Sequence, residues 1–354
     1  MKCFPVSPTL ARFSFHHHLA PHFLSFVRGP SFFSLTMSLF IFSVLLCFSF
    51  SLAVPLSRQD SSTCTSPTVR VDWTTLSEAQ KTAYFDAELC LMNSPAKLSL
   101  PGVTTRWDDL VAVHQLQANT NAGTDTWHFV GQFLHTHRYY VHVHETLLRT
   151  ECNYTGPMAY WNEETDAGNY QGSRVIQDFG GFGHSSEDFV INNGPFANLT
   201  LQIGPGSDNQ PHLLSRYVNE RQARSSSSWY VQGVKNQKDF ATFKDLLYDT
   251  LHVAGHNGVG GGWGDMSNVL SSPNDPIFWM HHTYLDMIWT GWQGNDESRI
   301  NDLEDAGNET QSEPEGGYVA TNPNTVLSVY GILPNSTVAE VARTTGGYLC
   351  YTYE

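Results

Sequence analysis

Residues Asp275 to Trp289 read DPIFWMHHTYLDMIW and give the strongest indication of the fold. Proline is favoured in the first turn of a helix, where its missing N–H would have no partner, and the preceding Asp275 can accept from the free amides. The stretch therefore predicts the start of a buried helix with two adjacent histidines. Successive helical residues point about 100° apart. We therefore expect only His282 to face a metal ion, on the face shared with Asp286 one turn later.

Composition limits the class of protein. The 354 residues are 40% hydrophobic, which is enough for a large globular core. The 19 basic and 34 acidic residues give a formal net charge of −15. This charge argues against nucleic acid and against stable association with an anionic membrane. The 16 histidines are an unusually high number, although His16 to His18 lie in the leader described next.

Residues 1–53 are predicted to be a leader. The apolar run from Leu39 to Ala53 is too short to span a bilayer comfortably and ends with small residues at the positions that a signal peptidase inspects. We interpret residues 37–53 as a secretory signal, with a membrane anchor as the weaker alternative. The start codon, Met1 or Met37, stays open. Secretion agrees with sequons at Asn153, Asn198, Asn308 and Asn335.

The remaining residues, 54–354, are predicted to form one domain with four main helices before the Asp275 stretch. A capping box at Thr75 and Glu78 opens the first, which runs to Met92. The others are Trp107 to Gln117, the stretch Phe133 to Glu151, in which the helix is expected to begin around His137-Arg138, and Lys238 to Gly258. Residues 162–206 are rich in Gly, Asn, Ser and Pro and predict a long irregular segment. Two strand-like stretches, Thr325 to Leu333 and Tyr348 to Tyr353, follow.

Histidines on these helices form two sets. His252 and His256 are four residues apart, so both can bind one ion, and His282 on the next helix completes three imidazoles. A pair on one helix alone would fit a solvated face. The second set is His114, His128 and His137. Six imidazoles without cysteine or carboxylate ligands favour paired copper over calcium, magnesium or a hydrolytic zinc pair. The acceptors expected for the other ring N–H groups are Glu145, Asp286, Asp245 and Asp249.

Over roughly residues 64–354 these motifs resemble the type 3 copper proteins, in particular short secreted fungal tyrosinases and catechol oxidases. One block has Asp108 before His114, then His128, and then His137-Arg138 followed by Glu145; the other has His252, His256 and Asp275-Pro before His282 and Asp286. The resemblance implies two copper ions, each held by one histidine set. It implies a mainly α fold, a four-helix bundle around the dinuclear centre with long loops and few short strands.

Some residues depart from the family pattern. Thr136 stands before His137 where an aromatic residue is usual, and the roles of His135, His142 and His144 are left open, with a surface or supporting position favoured over ligation. The residue two before His128 is Thr126, so the thioether common in the family is not expected. The sequence ends on Tyr351-Thr-Tyr353, which resembles the element that closes the catalytic domain, and no C-terminal shielding domain is expected.

The resemblance implies an oxidase that uses O2 to convert o-diphenols, with o-aminophenols or monophenols as further substrates, to o-quinones. Catechol oxidase is favoured over full tyrosinase because Val253 follows His252, where an asparagine is linked to monophenol hydroxylation in the family. Asn257, beside His256, and the acids Asp245 and Asp249 are the candidates to assist the phenol's deprotonation. A haemocyanin-like oxygen carrier and an inactive secreted copper-binding protein are the alternatives.

Four cysteines remain after the leader is removed, which suits an oxidising compartment. Spacing alone allows three connectivities. We predict Cys64–Cys350, which bracket the domain, and Cys90–Cys152, which each end a helix beside the first histidine set.

Overall fold

The computed structural model describes residues 64–119 and 124–354. The predicted leader and signal, residues 1–53, lie outside the described residues. The described part is mainly α-helical, as expected, with short strands and long irregular connections. No helix in these two ranges is long and apolar enough to cross a membrane.

The longer helices carry the histidine motifs and pack around them. The helices are α1 (Glu78–Asn93), α2 (Arg106–Gln117), α3 (Phe133–Glu151), α4 (Glu163–Asp166), α5 (Arg174–Asp178), α6 (Glu220–Ala223), α7 (Ser228–Lys235), α8 (Phe240–Leu247), α9 (Val253–Gly260), α10 (Ile277–Gln293) and α11 (Val338–Val341). The predicted four-helix arrangement is confirmed, with α2, α3, α8–α9 and α10 as its members.

The strands are short and form three small sheets. They are β1 (Thr68–Asp72), β2 (Ala159–Tyr160), β3 (Thr200–Leu201), β4 (His212–Leu213), β5 (Val326–Leu327), β6 (Ser336–Thr337) and β7 (Tyr351–Tyr353). Strand β1 lies between β2 and β7 and runs parallel to both, with Val71 opposite Ala159 and Thr68 opposite Tyr351. The pairs β3–β4 and β5–β6 are antiparallel.

Local sequence sets the beginning of the first and last long helices. The α1 capping box is formed by Ser77 and Gln80, two residues later than predicted, because the Thr75 hydroxyl instead donates to the Asp72 carbonyl. Helix α10 begins at Ile277, whose amide donates to Asp275 Oδ1 at 3.0 Å. The predicted cap by Asp275 is therefore present, and the same carboxylate forms an ion pair with Arg216.

The predicted fourth helix is interrupted by one π-helical turn, Tyr248–His252, between α8 and α9. The apolar side chains of Phe240, Phe243, Leu247 and Leu251 on this helix are all buried. A π turn takes up one extra residue and changes the direction of the side chains on its two sides relative to each other. His252 is therefore buried, whereas Asp245 and Asp249, which were expected to support the histidines, are exposed.

Two disulfides join the parts of the chain as predicted. Cys64 is bonded to Cys350 and Cys90 to Cys152. The first closes the domain beside the β1–β7 pair. The second joins the end of α1 to the end of α3, which fixes one side of the helical core.

Candidate metal centre

Two groups of imidazoles lie side by side in the core. Group A consists of His114 from α2, His128 from the loop before α3, and His137 from α3; one ring nitrogen of each lies within 4.8 Å of the others. Group B consists of His252, His256 and His282, from the π turn, α9 and α10. A fourth imidazole, His281, meets the same 4.8 Å limit with all three. The structure thus brings together all six histidines proposed as ligands.

Imidazole rings of group A pack directly against imidazole rings of group B. The rings of His137 and His282 stack at 4.4 Å and 14°, and the His128 and His252 rings are 6.3 Å apart. Phe278 lies between the groups, against His114 at 5.5 Å and His282 at 4.2 Å. The arrangement suits two ions at neighbouring positions.

Backbone carbonyls hold three of these imidazoles in one tautomer. Nδ1 of His114 donates to the Leu270 carbonyl, that of His137 to Phe133, and that of His256 to Met266, at 2.7 to 2.9 Å. A carbonyl can only accept, so each Nδ1 carries the proton and each Nε2 keeps its lone pair. His128 Nδ1 is held by the Asp125 carboxylate at 3.0 Å. An acceptor at the distal nitrogen is the usual support of a metal-bound histidine.

The inward nitrogens lack partners. His114 Nε2, His137 Nε2 and both ring nitrogens of His252 are buried and have no hydrogen-bond partner among the described residues. The Nε2 atoms of His256 and His282 lie only 3.2 Å apart. Buried polar atoms are nearly always satisfied in folded proteins. The unsatisfied lone pairs, directed at common points, fit a pair of metal ions.

Burial keeps the imidazoles ready to bind. Burial, and then the neighbouring imidazoles, lower the pKa of His114, His137, His252, His256 and His282 well below the usual value. These rings are therefore neutral at physiological pH, which is the form that binds a metal.

The expected carboxylate supports are wrong for four residues. Asp245 and Asp249 are exposed, and Asp245 pairs with Lys244. Glu145 and Asp286 are buried but accept from arginines and tyrosines instead of ligand histidines. The acceptors in use are three carbonyls and Asp125. A backbone carbonyl leaves no mark in a sequence, but an aspartate three residues before His128 could have been noticed.

Arg138 and Asp286 belong to what we call the paired-charge cluster: Arg70, Arg138, Glu145, Asp286, Tyr351 and Tyr353. Arg138 Nε donates to Asp286 Oδ1 at 2.6 Å, and both Tyr hydroxyls donate to Asp286 Oδ2. Arg70 donates to Glu145 at 2.9 Å and lies over the Tyr351 ring at 3.5 Å. The cluster joins α3, α10, β1 and β7.

The remaining histidines of α3 lie outside both groups. His135 packs in the core against Trp289 at 4.7 Å, and burial lowers its pKa to about 3. His144 stacks on Trp279 and pairs with Glu88. His142 is half-buried beside Tyr348 at 5.3 Å.

His281 and Glu163 were not predicted to take part in the centre. Glu163 Oε1 lies 2.5 Å from His281 Nδ1, and the Tyr170 hydroxyl donates to Glu163 Oε2 at 3.0 Å. Burial raises the pKa of Glu163 well above the usual value, and no lysine or arginine among the described residues pairs with it. Sequence gives no sign of this contact, since Glu163 comes from a segment that looks irregular and lies 118 residues from its partner.

The geometry defines a class: a helical protein that presents two adjacent groups of neutral imidazoles to a metal pair. A family model described as the common central domain of tyrosinase matches residues 104–295, which include every histidine of groups A and B. The chain therefore belongs to the tyrosinase family, whose members are copper oxidases.

Several relatives cover most of the chain. N-acetyl-6-hydroxytryptophan oxidase ivoB of Emericella nidulans is 28% identical over 85% of this chain and 97% of its own length. Tyrosinase P of Aspergillus terreus is 27% identical over 82% of this chain and 93% of its own. The solved structure of a mutant polyphenol oxidase from Thermothelomyces thermophila has a TM-score of 0.71 and 27% identity, with 81% of this chain and 89% of that chain covered.

Proposed function

We propose that the protein is a polyphenol oxidase that uses O2 to convert o-diphenols to o-quinones, with o-aminophenols or monophenols as secondary substrates. Two o-diphenols lose two electrons and two protons each, and one O2 takes them up to give two waters. The observation that carries the proposal is the set of six imidazoles in two adjacent groups, with buried lone pairs directed inward.

Copper fits this donor set, because imidazole without cysteine or carboxylate suits copper well and the two groups are adjacent. His114, His128 and His137 would hold one ion, and His252, His256 and His282 the other. The copper pair supplies the electron transfer to O2 when bound. The chain supplies neutral ligands, the carbonyls that orient them, and a core that excludes water.

A phenolic ring can approach from the side of group B. His256 is partly exposed, unlike the other ligands. Next to His128, the ring of Phe129 is 61% exposed and packs at 4.4 Å on Tyr248, whose own ring lies 4.5 Å from His252. These two rings offer an aromatic surface beside the imidazoles, which suits a flat aromatic substrate.

The preference for o-diphenols follows from the proton that must leave the substrate. A simple phenol has a pKa near ~10 and needs a base before it can bind a metal as phenolate. Asp245 and Asp249 are too exposed to serve at the imidazoles, and Val253 offers no hydrogen bond. Asn257, half-buried beside His256, is left to orient the hydroxyl. An o-diphenol has two hydroxyls and depends less on such a base.

The protein is further proposed to act outside the cell, without nucleic acid or membrane partners. Two disulfides, the acidic composition and four sequons support an extracellular location. Its partner would be a small phenolic molecule. One relative is named for oxidising N-acetyl-6-hydroxytryptophan, which is itself a phenol, so a hydroxylated aromatic metabolite is the class to screen first.

The test is oxygen consumption by copper-loaded protein with 4-methylcatechol, with copper-free protein as the control. We expect uptake with quinone absorbance in the loaded sample alone. Reversible oxygen binding without consumption of the catechol would instead identify a carrier, the activity of the haemocyanin class. Copper binding with neither uptake nor oxygen binding would identify an inactive copper protein.

A further inference from the structure

We propose that the ion pair between His212 and Asp265 positions the metal ligand His256 from outside the centre. Asp265 begins a short 3₁₀ turn, Asp265–Ser267, and the carbonyl of the next residue, Met266, is the acceptor that orients His256. The pair holds this turn only while His212 carries both ring protons, so the support is lost as the pH rises. The inference rests on the proposed function in requiring that group B binds copper.

The hydrogen bonds of His212 decide its charge. Nδ1 lies 2.9 Å from the Gln210 carbonyl oxygen, and Nε2 lies 2.9 Å from Asp265 Oδ1. A carbonyl can only accept, and an imidazole is much more basic than a carboxylate, so the proton shared with Asp265 lies on the ring. Both ring nitrogens therefore donate, and His212 is an imidazolium. Loss of either proton turns a lone pair toward one of the two acceptors.

Asp265 is buried and depends on this cation. Its side chain is 3% exposed, and its Oδ2 accepts from the Ser215 amide at 2.8 Å. Within residues 64–119 and 124–354, its one ion pair is with His212. A buried carboxylate is costly unless a positive charge and hydrogen bonds compensate it. Deprotonation of His212 therefore leaves the charge of Asp265 uncompensated.

The segment from His212 to Arg216 fastens both ends of the connection between α9 and α10. At the first end His212 pairs with Asp265, and at the second end Arg216 pairs with Asp275 at 2.7 Å. The guanidinium of an arginine stays charged at every physiological pH, whereas an imidazole does not. Only the fastening at the beginning of this connection therefore responds to pH.

The turn that Asp265 begins lies directly against the centre. Met266 is fully buried, and its carbonyl oxygen lies 2.7 Å from His256 Nδ1. A Cβ built on Gly260, at the end of α9, would overlap the Ser267 backbone, so the helix and the turn pack without a gap. A displacement of Asp265 therefore moves the acceptor that sets the direction of the His256 lone pair.

No second charged group pairs with His212 in the described ranges. Burial by itself would lower the pKa of His212, but the hydrogen bonds to Asp265 and to the Gln210 carbonyl raise it above the usual value. Strand β3, which pairs with β4 at His212, carries no titratable side chain. The charged and titratable groups of the neighbouring segments 183–191 and 207–216 form no ion pair with His212; they are His184, Glu187, Asp188, Asp208 and Arg216.

The chain offers a matched control for the test. His184 is an exposed histidine on the neighbouring segment 183–191, and its Nδ1 accepts from the Ser186 amide at 3.2 Å. That nitrogen therefore carries no proton, and the ring has no carboxylate partner among the described residues. His184→Gln and His212→Gln each replace one histidine by an amide side chain, but only His212→Gln removes the charge next to Asp265.

The first measurement is the protonation of His212. Nitrogen-15 chemical shifts of the histidine rings are followed by nuclear magnetic resonance in the reduced, copper-loaded protein, and His212→Gln identifies the signals of His212. We expect both of its ring nitrogens to be protonated at about pH 6, and its pKa to fall in Asp265→Asn. A neutral His212 ring at that pH would overturn the inference.

The second measurement is the rate at which a chelator removes copper. Protonation of the ligands releases copper as the pH falls, so a loss of support as the pH rises has the opposite sign. At about pH 6 we expect His212→Gln to release the group B copper about 10-fold faster than wild type, and the two rates to converge above about pH 9, in line with the loss of an outer partner of a metal ligand. His184→Gln should match wild type. His212→Lys keeps a positive charge throughout and should stay slow where wild type becomes fast.

The results distinguish the inference from the proposed function. Equal release from wild type and His212→Gln at every pH overturns the inference alone. A difference that does not change with pH also overturns it, since His212 would then only support the fold. In a His256→Ala background the remaining copper lies in group A, and an equal effect of His212→Gln there would contradict the route through Met266. A wild-type protein that binds no copper overturns the proposed function as well.

Discussion

Two buried polar regions lie next to each other along α3 and α10, and they are completed differently. The metal centre uses His137 and His282, whereas the paired-charge cluster uses Arg138, the next residue, and Asp286, one turn later. In the cluster every charged side chain meets an opposite charge. In the centre His114 Nε2, His137 Nε2 and both ring nitrogens of His252 have no partner among the described residues. The cluster therefore supports the fold by itself, whereas the centre leaves buried lone pairs available to a metal ion.

The largest expected effect comes from removing a ligand that the fold does not need. His256→Ala should lower bound copper from two ions to one per chain and abolish catechol oxidation, because two imidazoles hold an ion poorly. The thermal unfolding of the copper-free protein should change little. His142→Ala, also a half-buried histidine but outside both groups, is the control and should retain both ions. Full copper retention in His256→Ala would contradict the assignment of group B.

In the paired-charge cluster we expect the opposite result, a loss of stability that does not depend on copper. Asp286→Ala leaves Arg138 and Arg70 without their shared carboxylate, and breaking a buried ion pair costs about 3–5 kcal/mol. Chemical denaturation should show this loss of unfolding free energy in copper-free protein as well. Asp245→Ala, in which the removed side chain is 68% exposed, should stay within about 0.5 kcal/mol. A small effect of Asp286→Ala would mean that the cluster does not support the fold.

Gly255 lies between His252 and His256 in sequence and packs against the His281 ring, so a change there should affect both stability and metal binding. Gly255→Ala adds a methyl group where the His281 ring lies, and overpacking of this kind costs about 1–3 kcal/mol. The same substitution should also weaken the binding of the copper ion in group B. Gly291→Ala on α10 meets no atom within 4 Å, so we expect a gain of about 0.5–1 kcal/mol from helix propensity. Denaturation and chelator competition on both variants distinguish packing from helix propensity.

Acid should affect the two regions at different pH: the buried neutral imidazoles of the centre destabilise the fold as pH falls below about 6.5, and the cluster responds only at lower pH. Burial by itself would raise the pKa of Asp286, but Arg138 and Arg70 hold it below the usual value. The unfolded chain therefore takes up this proton first, and the stability that Asp286 contributes is complete above about pH 4 and is lost at lower pH. The difference in unfolding free energy between wild type and Asp286→Asn should be constant from neutral pH down to about 5 and shrink below about 4. A difference that does not change with pH would exclude the charge as its source.

The smallest expected effect concerns substrate preference. Val253→Asn places an amide directly after His252 and should raise the initial rate on tyramine relative to dopamine by a few-fold, through a hydrogen bond to the phenol hydroxyl. Val253→Leu is the nonpolar control and should leave the ratio unchanged. Equal wild-type rates on tyramine and dopamine without a lag would refute the proposed o-diphenol preference.

Much of the fold and of the metal centre could be predicted from the sequence. Helix α3 lies within its predicted stretch but begins at Phe133, one turn before the expected start near His137. Both disulfides have the predicted partners, and six histidines spread from His114 to His282 converge in two groups. Periodicity suffices for the helices and for the His252–His256 pair, because side chains three and four apart share a helix face whatever the tertiary structure. The assignment of one ion to each histidine set needed the resemblance to a known family as well.

The rest depends on tertiary structure. Asp245 and Asp249 were placed on the wrong face because a π turn has no reliable sequence sign. His281 lies within 4.8 Å of the group B imidazoles, which helix phase alone does not predict, because it ignores how near a partner helix approaches. Glu163 reaches the centre from an irregular segment, so neither spacing nor pattern connects it with His281.

The β1–β7 pair has a consequence for the order of folding. It joins residues about 280 positions apart, and contacts between distant residues form late because the chain must first close the long loop between them. During synthesis, Asp286 is complete well before Tyr351 and Tyr353 exist to donate to it. We therefore expect the histidine-bearing helices to associate first, while α10 can still shift along α3. When strand β7 then pairs with β1, Tyr351 and Tyr353 donate to Asp286 and hold α10 in place. We expect this last step to fix the distance between the two imidazole groups.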